Sequence, residues 1–268
     1  MTFPGERWRH TRYVFWMLES PANMHRTVRT FAGVFNWTFT YRLDSDFPMP
    51  YGRVYRRRVP LKETSRNYAA GKTKMAAWFV SHCDAISGRE QLVATLRRWV
   101  EVDQYGRCGG LSCSLHQSDK CDLLLNTHYK FYLSFENSLC RDYVTEKFFR
   151  ILRLDIVPVV FGQANYGLHA PPHAYIDALT FPSVKALADH LIYLDKNDTA
   201  YNEYFRWKRY HRVPNSWENW SKPYCELCER LHADHTVKVY HDIHQWFVEG
   251  SSCRTRFNHH IAAFINGQ

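Results

Sequence analysis

The sequence predicts an α/β protein with two lobes and a cleft between them. From about residue 76, short apolar runs alternate with segments of helical period, which is typical of βα units on a parallel sheet. Residues 1–60 instead contain two strand-like runs followed by loop, and a basic polar stretch at about 52–75 joins the two parts. With 268 residues, 45% hydrophobic and 16% aromatic, the chain has a globular composition and can bury a sizeable core.

The first part contains two predicted strands, at residues 13–18 and 37–41. A loop is then predicted from Asp44-Ser45-Asp46 and from the stretch 48–50, which begins and ends in proline. The last 58 residues are rich in Trp, Cys and His and show little periodicity.

The second part contains the regular βα pattern. Apolar runs predict strands at 76–80, 131–135 and 157–161. A helical period covers 89–100, and a second helix is predicted to begin near Asp142. A third is predicted to follow Ser183, whose hydroxyl suits a helix N-cap.

The chain is basic, with a formal net charge of +9. This balance favours anionic ligands such as a nucleotide pyrophosphate, acidic lipid or nucleic acid, although a run such as the three arginines at 56–58 also suits a solvated surface. No apolar stretch is long enough to span a membrane, and residues 1–12 lack the apolar region of a signal peptide. Read literally, these features predict a cytosolic chain.

Eight cysteines and three glycosylation sequons favour the secretory pathway instead. The sequons begin at Asn36, Asn197 and Asn219, and each accepts a glycan only in the lumen. Cys225 and Cys228 precede two histidines, but the spacing is too short for a Cys2His2 zinc finger. We therefore predict no metal site and favour a disulfide role for these cysteines.

Two short motifs suggest phosphate binding. Residues 71–73, Gly-Lys-Thr, resemble the end of a P-loop, but Arg66 stands where its first glycine belongs and the run precedes a strand, so we reject it. The better candidate is the segment from Asn137 to Lys147, where a predicted strand leads into a predicted helix. Free amides and the helix dipole favour anions there, Lys147 adds positive charge, and Glu146 can bond a sugar hydroxyl. An ordinary capped helix with a solvated Glu-Lys pair is the alternative.

Residues 129–138, 142–150 and 157–162 closely resemble the donor-binding signature of the α1,3-fucosyltransferases, glycosyltransferase family 10. They read Tyr-Lys-Phe-Tyr-Leu-Ser-Phe-Glu-Asn-Ser, Asp-Tyr-Val-Thr-Glu-Lys-Phe-Phe-Arg and Val-Pro-Val-Val-Phe-Gly. Further landmarks of the family follow the same order along the chain, at residues 18–21, 35–38, 41–46, 105–106 and 170–172. The resemblance therefore covers nearly the whole sequence.

The resemblance implies a GT-B fold of two Rossmann-like lobes and an inverting transfer of fucose from GDP-fucose to O3 of an N-acetylglucosamine. Glu19, in Leu-Glu-Ser-Pro, falls on the position proposed for the catalytic base. The implied donor-binding residues are Arg89, Asn137, Tyr143, Glu146 and Lys147. No cofactor is expected to be required, and a divalent cation such as Mn²⁺ is expected at most to activate.

Complete members begin with a membrane anchor and a stem, whereas only 18 residues precede Glu19 here. We therefore interpret the chain as a fragment or alternative product that lacks the anchor and the beginning of its acceptor lobe. The resemblance implies a Golgi-lumenal, membrane-anchored complete protein. It also implies that Cys225 and Cys228 pair with cysteines of the early acceptor lobe, which this chain lacks, so they are expected to stay unpaired here.

We divide the chain into an incomplete acceptor-side lobe with linker at 1–75, a GDP-fucose lobe at 76–210, and a C-terminal segment at 211–268 that packs back on the first lobe. The Trp-rich stretch at 217–220 and the segment 225–232 look more like invertebrate members, which favours the N-glycan core as acceptor. A Lewis-type antennal acceptor, or an inactive product that only binds nucleotide sugar or glycan, is the alternative. A nucleic-acid module would rest only on the charge and the Cys/His cluster, and we expect no nucleic-acid partner.

Overall fold

The computed structural model describes residues 6–8, 10–24, 28–63, 65–113 and 118–267. Its strands are β1 (Val14–Met17), β2 (Trp37–Thr40), β3 (Tyr55–Arg56), β4 (Lys74–Phe79), β5 (Val102–Tyr105), β6 (Tyr129–Phe135), β7 (Val157–Phe161), β8 (Ile176–Asp177) and β9 (His211–Arg212). Its α-helices are α1 (Arg89–Leu96), α2 (Ser118–His128), α3 (Glu146–Leu152), α4 (Val184–Lys196), α5 (Asp198–Glu203), α6 (Ser216–Ala233) and α7 (His259–Asn266). No described helix is both long and apolar enough to cross a bilayer.

The second lobe is built on a five-stranded sheet with the order β5-β4-β6-β7-β8. All of its strand pairs are parallel, so the carboxyl ends of the strands lie at one edge. The strands that follow β4 in sequence lie on opposite sides of it, β5 on one side and β6 on the other. The winding therefore reverses between β4 and β6, and open α/β sheets bind ligands at the carboxyl edge of such a reversal.

Helices cover both faces of this sheet. Alternate side chains of β6, Phe131, Leu133 and Phe135, are buried in one core together with residues of α1, α4 and α7. On the other face Tyr132 packs against Leu125 of α2 and Ile151 of α3. A strand buried on both faces is mostly apolar, which is why the sequences of β6 and β7 predict strands, although β6 also buries Lys130 and Ser134.

The first lobe is smaller and contains the parallel pair β1–β2. Helix α6 packs against it: Tyr224 meets the ring of Phe39 at 5.0 Å, and the Arg230 guanidinium lies over Trp37. The later segment around Ile243 and Phe247 is buried against Phe15. The C-terminal part of the chain thus returns to the first lobe, although its periodicity was unclear from sequence.

The last helix departs from the predicted division of the chain. Ile261, Phe264 and Ile265 of α7 are buried in the core of the second lobe, beside α1 and α4. The predicted linker also contributes to that lobe, since Tyr68 stacks on Phe205 at 4.2 Å. The boundaries at 75 and 211 therefore do not separate the lobes cleanly, because apolar side chains from both flanking segments complete the second core.

The other predicted strands and helices are present, and one helix begins later than predicted. Ser183 caps α4, its hydroxyl accepting a hydrogen bond from the Ala186 amide. The helix expected at Asp142 begins only at Glu146, and Thr145 is its N-cap. Asp142 adopts a left-handed backbone conformation with φ of 60°, and its carboxylate accepts a hydrogen bond from the Leu43 amide at 3.2 Å. The contact with the first lobe therefore holds this residue outside the helix.

Asp46 joins the C-terminal segment to the first lobe. Its carboxylate is 5% exposed and accepts hydrogen bonds from the Thr38 amide, the Tyr240 hydroxyl and the Lys238 ammonium. Burial opposes ionisation, but the bonds from Lys238, Thr38 and Tyr240 outweigh it and hold the pKa of Asp46 below its usual value.

We expect Asp46→Asn to lower the free energy of unfolding by about 1–3 kcal/mol, because the charge-assisted hydrogen bonds that the buried carboxylate accepts from Thr38, Tyr240 and Lys238 are weakened or lost. A carboxylate with a lowered pKa stabilises the fold above its unfolded value near ~4, and this contribution disappears as pH falls through the folded value. The stability gap between wild type and variant should therefore be constant near neutral pH and narrow below pH ~4. Urea titrations across pH measure it, with the exposed Asp189→Asn as control; a gap that widened in acid would contradict the assignment.

Candidate active site

Residues of both lobes converge at the carboxyl edge of the parallel sheet, where the strand order reverses between β4 and β6. The segment that follows β6, here called loop 136–147, runs into the first turn of α3. The segment 18–20 follows β1 and contacts this loop from the first lobe.

Arg89, the first residue of α1, lies directly at the reversal. Its side chain is 2% exposed and donates to the carbonyl of Phe135, where β6 ends, at 3.2 Å. It also donates to the carbonyl of His82, in the loop after β4, at 2.5 Å. The preceding Gly88 has a φ of 80° and starts the helix. The guanidinium is therefore a fixed positive charge between the ends of the two central strands.

Lys147 provides a second cation, held by a carboxylate that the sequence did not single out. Glu136 is fully buried and accepts hydrogen bonds from the amide and hydroxyl of Thr145, at 2.8 and 3.0 Å. The Lys147 ammonium lies 3.3 Å from Glu136 and donates to the Thr145 hydroxyl at 2.8 Å. Burial would lower the pKa of Lys147, but Glu136 raises it above its ordinary value, so the ammonium is charged at neutral pH.

Two more predicted residues lie on the same loop, Asn137 with an unpartnered oxygen and Glu146 beside the Lys147 ammonium at 3.3 Å. Asn137 is 8% exposed, and its buried side-chain oxygen has no hydrogen-bond partner among the described residues. Glu146 is 62% exposed, and it lines a small cavity of about 40 Å³ together with Tyr51 and Arg150. A buried acceptor without a partner is costly, and such atoms commonly await a ligand or water.

Glu19 reaches the loop from the first lobe. Its Oε1 accepts a hydrogen bond from the Tyr143 hydroxyl at 2.5 Å and another from the Ser20 amide at 2.9 Å. Beside Glu19, the Ser20 hydroxyl donates a hydrogen bond to the Ser138 hydroxyl at 2.8 Å. The side-chain amide of Asn23 donates to the same Ser138 oxygen at 2.9 Å. The acceptor-side carboxylate and the predicted donor side are thus joined by direct hydrogen bonds.

Aromatic side chains exclude water around this contact. Tyr143 packs edge-on against Tyr41 at 5.0 Å and against Tyr51 at 6.3 Å between ring centroids. The Tyr51 hydroxyl donates to the Leu18 carbonyl at 2.8 Å, beside Glu19. Burial, reinforced by Glu136, raises the pKa of Tyr143 far above its usual value, so its hydroxyl remains a proton donor.

Three disulfides are present, and two of them secure loops of the site. Cys140–Cys253 ties loop 136–147 to the C-terminal segment, and Cys83–Cys108 joins the loops after β4 and β5. The third, Cys113–Cys121, links the loop after β5 to α2. The protein thus contains disulfide bonds, but between six cysteines other than the pair for which the sequence predicted them.

Cys225 and Cys228 are different. Both lie exposed on α6 as free thiols, so the disulfide role predicted for this pair is not realised, and they stay unpaired as the resemblance led us to expect for this chain. They are three residues apart on one helix, so both side chains face solvent on the same side of the helix.

The three sequons have different environments. Asn36 is 3% exposed, its side-chain amide donates to the Lys238 carbonyl, and its oxygen accepts from the Tyr13 amide. Asn219 is 2% exposed and donates to the Pro50 carbonyl at 2.9 Å. A glycan on either side-chain nitrogen would break these bonds and would have no room. The prediction that Asn36 and Asn219 are glycosylated is therefore wrong for this fold. Asn197 is half-buried at the start of α5, and its side chain borders solvent.

The rejected P-loop-like run lies at the opposite edge of the sheet, beside a cavity of about 400 Å³. There the Lys72 ammonium donates to the carbonyls of Asn126 and Tyr129, at 2.6 and 2.8 Å, and so caps the end of α2. Burial lowers the pKa of Lys72 to about 8. This edge carries the amino ends of the strands, away from Glu19 and Arg89.

The structure brings together the six residues predicted from sequence, Glu19, Arg89, Asn137, Tyr143, Glu146 and Lys147. Glu136 and Ser138, two buried residues of loop 136–147, were not predicted. The available signal for Glu136 was an acidic residue directly after a mostly apolar strand, since a buried carboxylate requires a partner nearby.

Comparison with known families gives two matches along the chain. Residues 69–246 match "Glycosyltransferase family 10 (fucosyltransferase) C-term", and residues 1–52 match "Fucosyltransferase, N-terminal". Alpha-(1,3)-fucosyltransferase C of Drosophila melanogaster is 40% identical over 94% of this chain and 62% of its own length. Glycoprotein 3-alpha-L-fucosyltransferase A of the same organism is 41% identical over 82% of this chain and 44% of its own length. The chain therefore spans about half the length of these relatives.

Solved structures share the architecture at low sequence identity. A crystal structure of an alpha1,3-fucosyltransferase with GDP-fucose aligns with a TM-score of 0.59 at 17% identity, covering 87% of this chain and 78% of its own. A second, with GDP, gives 0.58 at 16% identity, covering 87% of this chain and 77% of its own. The chain accordingly has the α/β, GT-B-like fold of these proteins.

Proposed function

The chain belongs to glycosyltransferase family 10, in its invertebrate type, and on this basis we propose that it transfers fucose from GDP-fucose to O3 of an N-acetylglucosamine. The observation that carries the proposal is the convergence at loop 136–147. There Glu19 of the first lobe accepts a hydrogen bond from Tyr143, on the loop that ends at Lys147, and Arg89 bonds the end of β6 where that loop begins. A proton acceptor on the first lobe and positive charge on the second suit the transfer of a sugar from a nucleotide to a hydroxyl group.

The proposed reaction inverts the configuration at C1 of fucose. Glu19 takes the proton of the attacking hydroxyl while the new O–C1 bond forms, a contribution of about 10²–10⁴-fold. The bond from C1 to the phosphate oxygen breaks on the opposite face, and GDP leaves with its electron pair. An NMR comparison of the anomeric configuration in donor and product tests the inversion.

Charge develops on the pyrophosphate as this bond breaks. Arg89 is held by two carbonyls at the end of the sheet, and Lys147 by Glu136 and Thr145. Cations fixed in place before the reaction stabilise developing charge without reorganising. Asn137, whose side-chain oxygen has no partner among the described residues, and the exposed Glu146 are proposed to bind the remainder of the donor.

For the acceptor we favour the core of an N-glycan. The support is the invertebrate character of the chain and its 41% identity to a relative named as a glycoprotein fucosyltransferase. A Bos taurus relative named as a 3-galactosyl-N-acetylglucosaminide 4-alpha-L-fucosyltransferase is also 38% identical, which keeps a Lewis-type antennal acceptor as the second candidate.

The test is secreted expression of the chain, followed by incubation with GDP-fucose and two acceptors, an N-glycan core and a lactosamine. Mass spectrometry of the products shows which acceptor has gained fucose. Fucose on the core alone supports the favoured acceptor, and fucose on lactosamine alone selects the antennal one. Binding of GDP without transfer to either would contradict the proposed activity and identify a nucleotide-sugar-binding product.

We also propose that the reaction requires no cofactor and that Mn²⁺ acts at most as an activator, because the fixed cations are provided by the protein. Turnover after treatment with EDTA should fall partially or remain unchanged. Complete loss that Mn²⁺ restores would contradict this. Three disulfides and an accessible sequon at Asn197 support a lumenal, Golgi location for the protein.

A further inference from the structure

The hydroxyl of Tyr143 bonds the proposed base directly. Tyr143 lies on loop 136–147 of the second lobe, and Glu19 lies 124 residues earlier in the first. The hydrogen bond from the Tyr143 hydroxyl to Glu19 Oε1 is 2.5 Å long, within the range of hydrogen bonds from a hydroxyl to a carboxylate.

The position of Tyr143 is fixed by packing. Its side chain is 2% exposed and lies edge-on to Tyr41, with Tyr51 closing another side. Cys140–Cys253 anchors the same loop three residues earlier. A ring so confined fixes the position of its hydroxyl oxygen, within hydrogen-bonding distance of Glu19 Oε1.

The two oxygens of Glu19 are therefore not equivalent. Oε1 receives hydrogen bonds from the Tyr143 hydroxyl and from the Ser20 amide. Oε2 receives none from any part of the chain that the structure describes. One oxygen is held while the other remains able to accept a proton.

We propose that Tyr143 is a positioning residue for the base: it holds Oε1 of Glu19 and leaves Oε2 to accept the proton of the attacking hydroxyl. This inference rests on the proposed function of Glu19. Tyr143 keeps its own proton throughout, and the proton lost by the acceptor resides on Glu19. The loop that carries the donor-side residues Asn137 and Lys147 thereby also sets the acceptor-side base.

The test replaces Tyr143 with phenylalanine and Tyr201 with phenylalanine as a matched control. Tyr201 is also buried, and its hydroxyl donates to the Lys130 carbonyl at 2.7 Å at the opposite edge of the sheet. Each variant loses one buried hydrogen bond, so similar decreases in Tm are expected. Only Tyr143→Phe should lower kcat, by about 10–100-fold, with KM for GDP-fucose and the calorimetric Kd for GDP unchanged.

A double variant with Glu19→Gln separates positioning from other roles. If Tyr143 acts through Glu19, adding Tyr143→Phe to Glu19→Gln causes no further loss of kcat. An unchanged kcat in the single variant, or the same loss in the Glu19→Gln background, overturns the proposal. Weakened GDP binding with kcat retained also overturns it and assigns Tyr143 to the donor. Full turnover of Glu19→Gln alone would instead refute the proposed base, which is a distinct outcome.

Discussion

Glu19→Gln is expected to lower turnover by at least ~10²-fold while GDP binding is retained. Glutamine has nearly the same shape and can still accept the hydrogen bonds of Tyr143 and Ser20, but it cannot take a proton from the attacking hydroxyl. The loss should therefore appear in kcat. Single-turnover assays with saturating GDP-fucose measure the rate, and calorimetry measures the affinity for GDP.

The matched control is Glu63→Gln. Glu63 is 83% exposed and pairs only with the surface residue Arg209. The same carboxylate-to-amide change there should alter neither turnover nor GDP affinity, since exposed ion pairs contribute little. Turnover of Glu19→Gln within a few-fold of wild type would refute the role of Glu19 as base.

Lys147→Ala is expected to weaken the calorimetric affinity for GDP by about 10–100-fold, because a charged hydrogen bond to a phosphate is lost. The same variant should also be less stable. Glu136 is fully buried and ionically paired with Lys147, so removing the ammonium leaves a carboxylate without its counter-charge. Thermal unfolding measures the second effect.

A double variant distinguishes the two effects. Lys147→Ala with Glu136→Gln removes the uncompensated carboxylate and should recover Tm, while GDP affinity stays low. Lys185→Ala on α4, whose ammonium is half-exposed, is the control for loss of one lysine. Recovery of GDP affinity in the double variant would show that Lys147 serves only the fold.

Local patterns were sufficient for most of the second lobe. Strands β6 and β7 are buried on both faces, so their sequences are mostly apolar. Helix α4 has a serine N-cap and one apolar face, both of which are read from neighbouring residues. The family motifs predict that Glu19 and Lys147 share a site, and in the structure Glu19 bonds Tyr143 of the loop that ends at Lys147.

The sequence did not predict the 18-residue helix α6, because the contacts that stabilise it come from residues remote in sequence. Tyr224 packs on Phe39, and Arg230 on Trp37, neither of which lies within a helical turn. The helix start at Asp142 was misplaced for a similar reason: the Leu43 amide holds that carboxylate outside the helix. Tertiary contacts routinely override local propensity in this way.

The sequence by itself thus determined the α/β class, the central strands and the residue types available at the donor side, since these depend on periodicity and on motifs of adjacent residues. Tertiary structure decided how those residues act. It paired Lys147 with buried Glu136, set Tyr143 against Glu19, and covered Asn36 and Asn219. The bonds of Tyr143, Asn36 and Asn219 span 124, 202 and 169 positions, and the burial of Glu136 depends on the packing around its loop. These contacts arise only when segments remote in sequence pack together, and no local pattern encodes them.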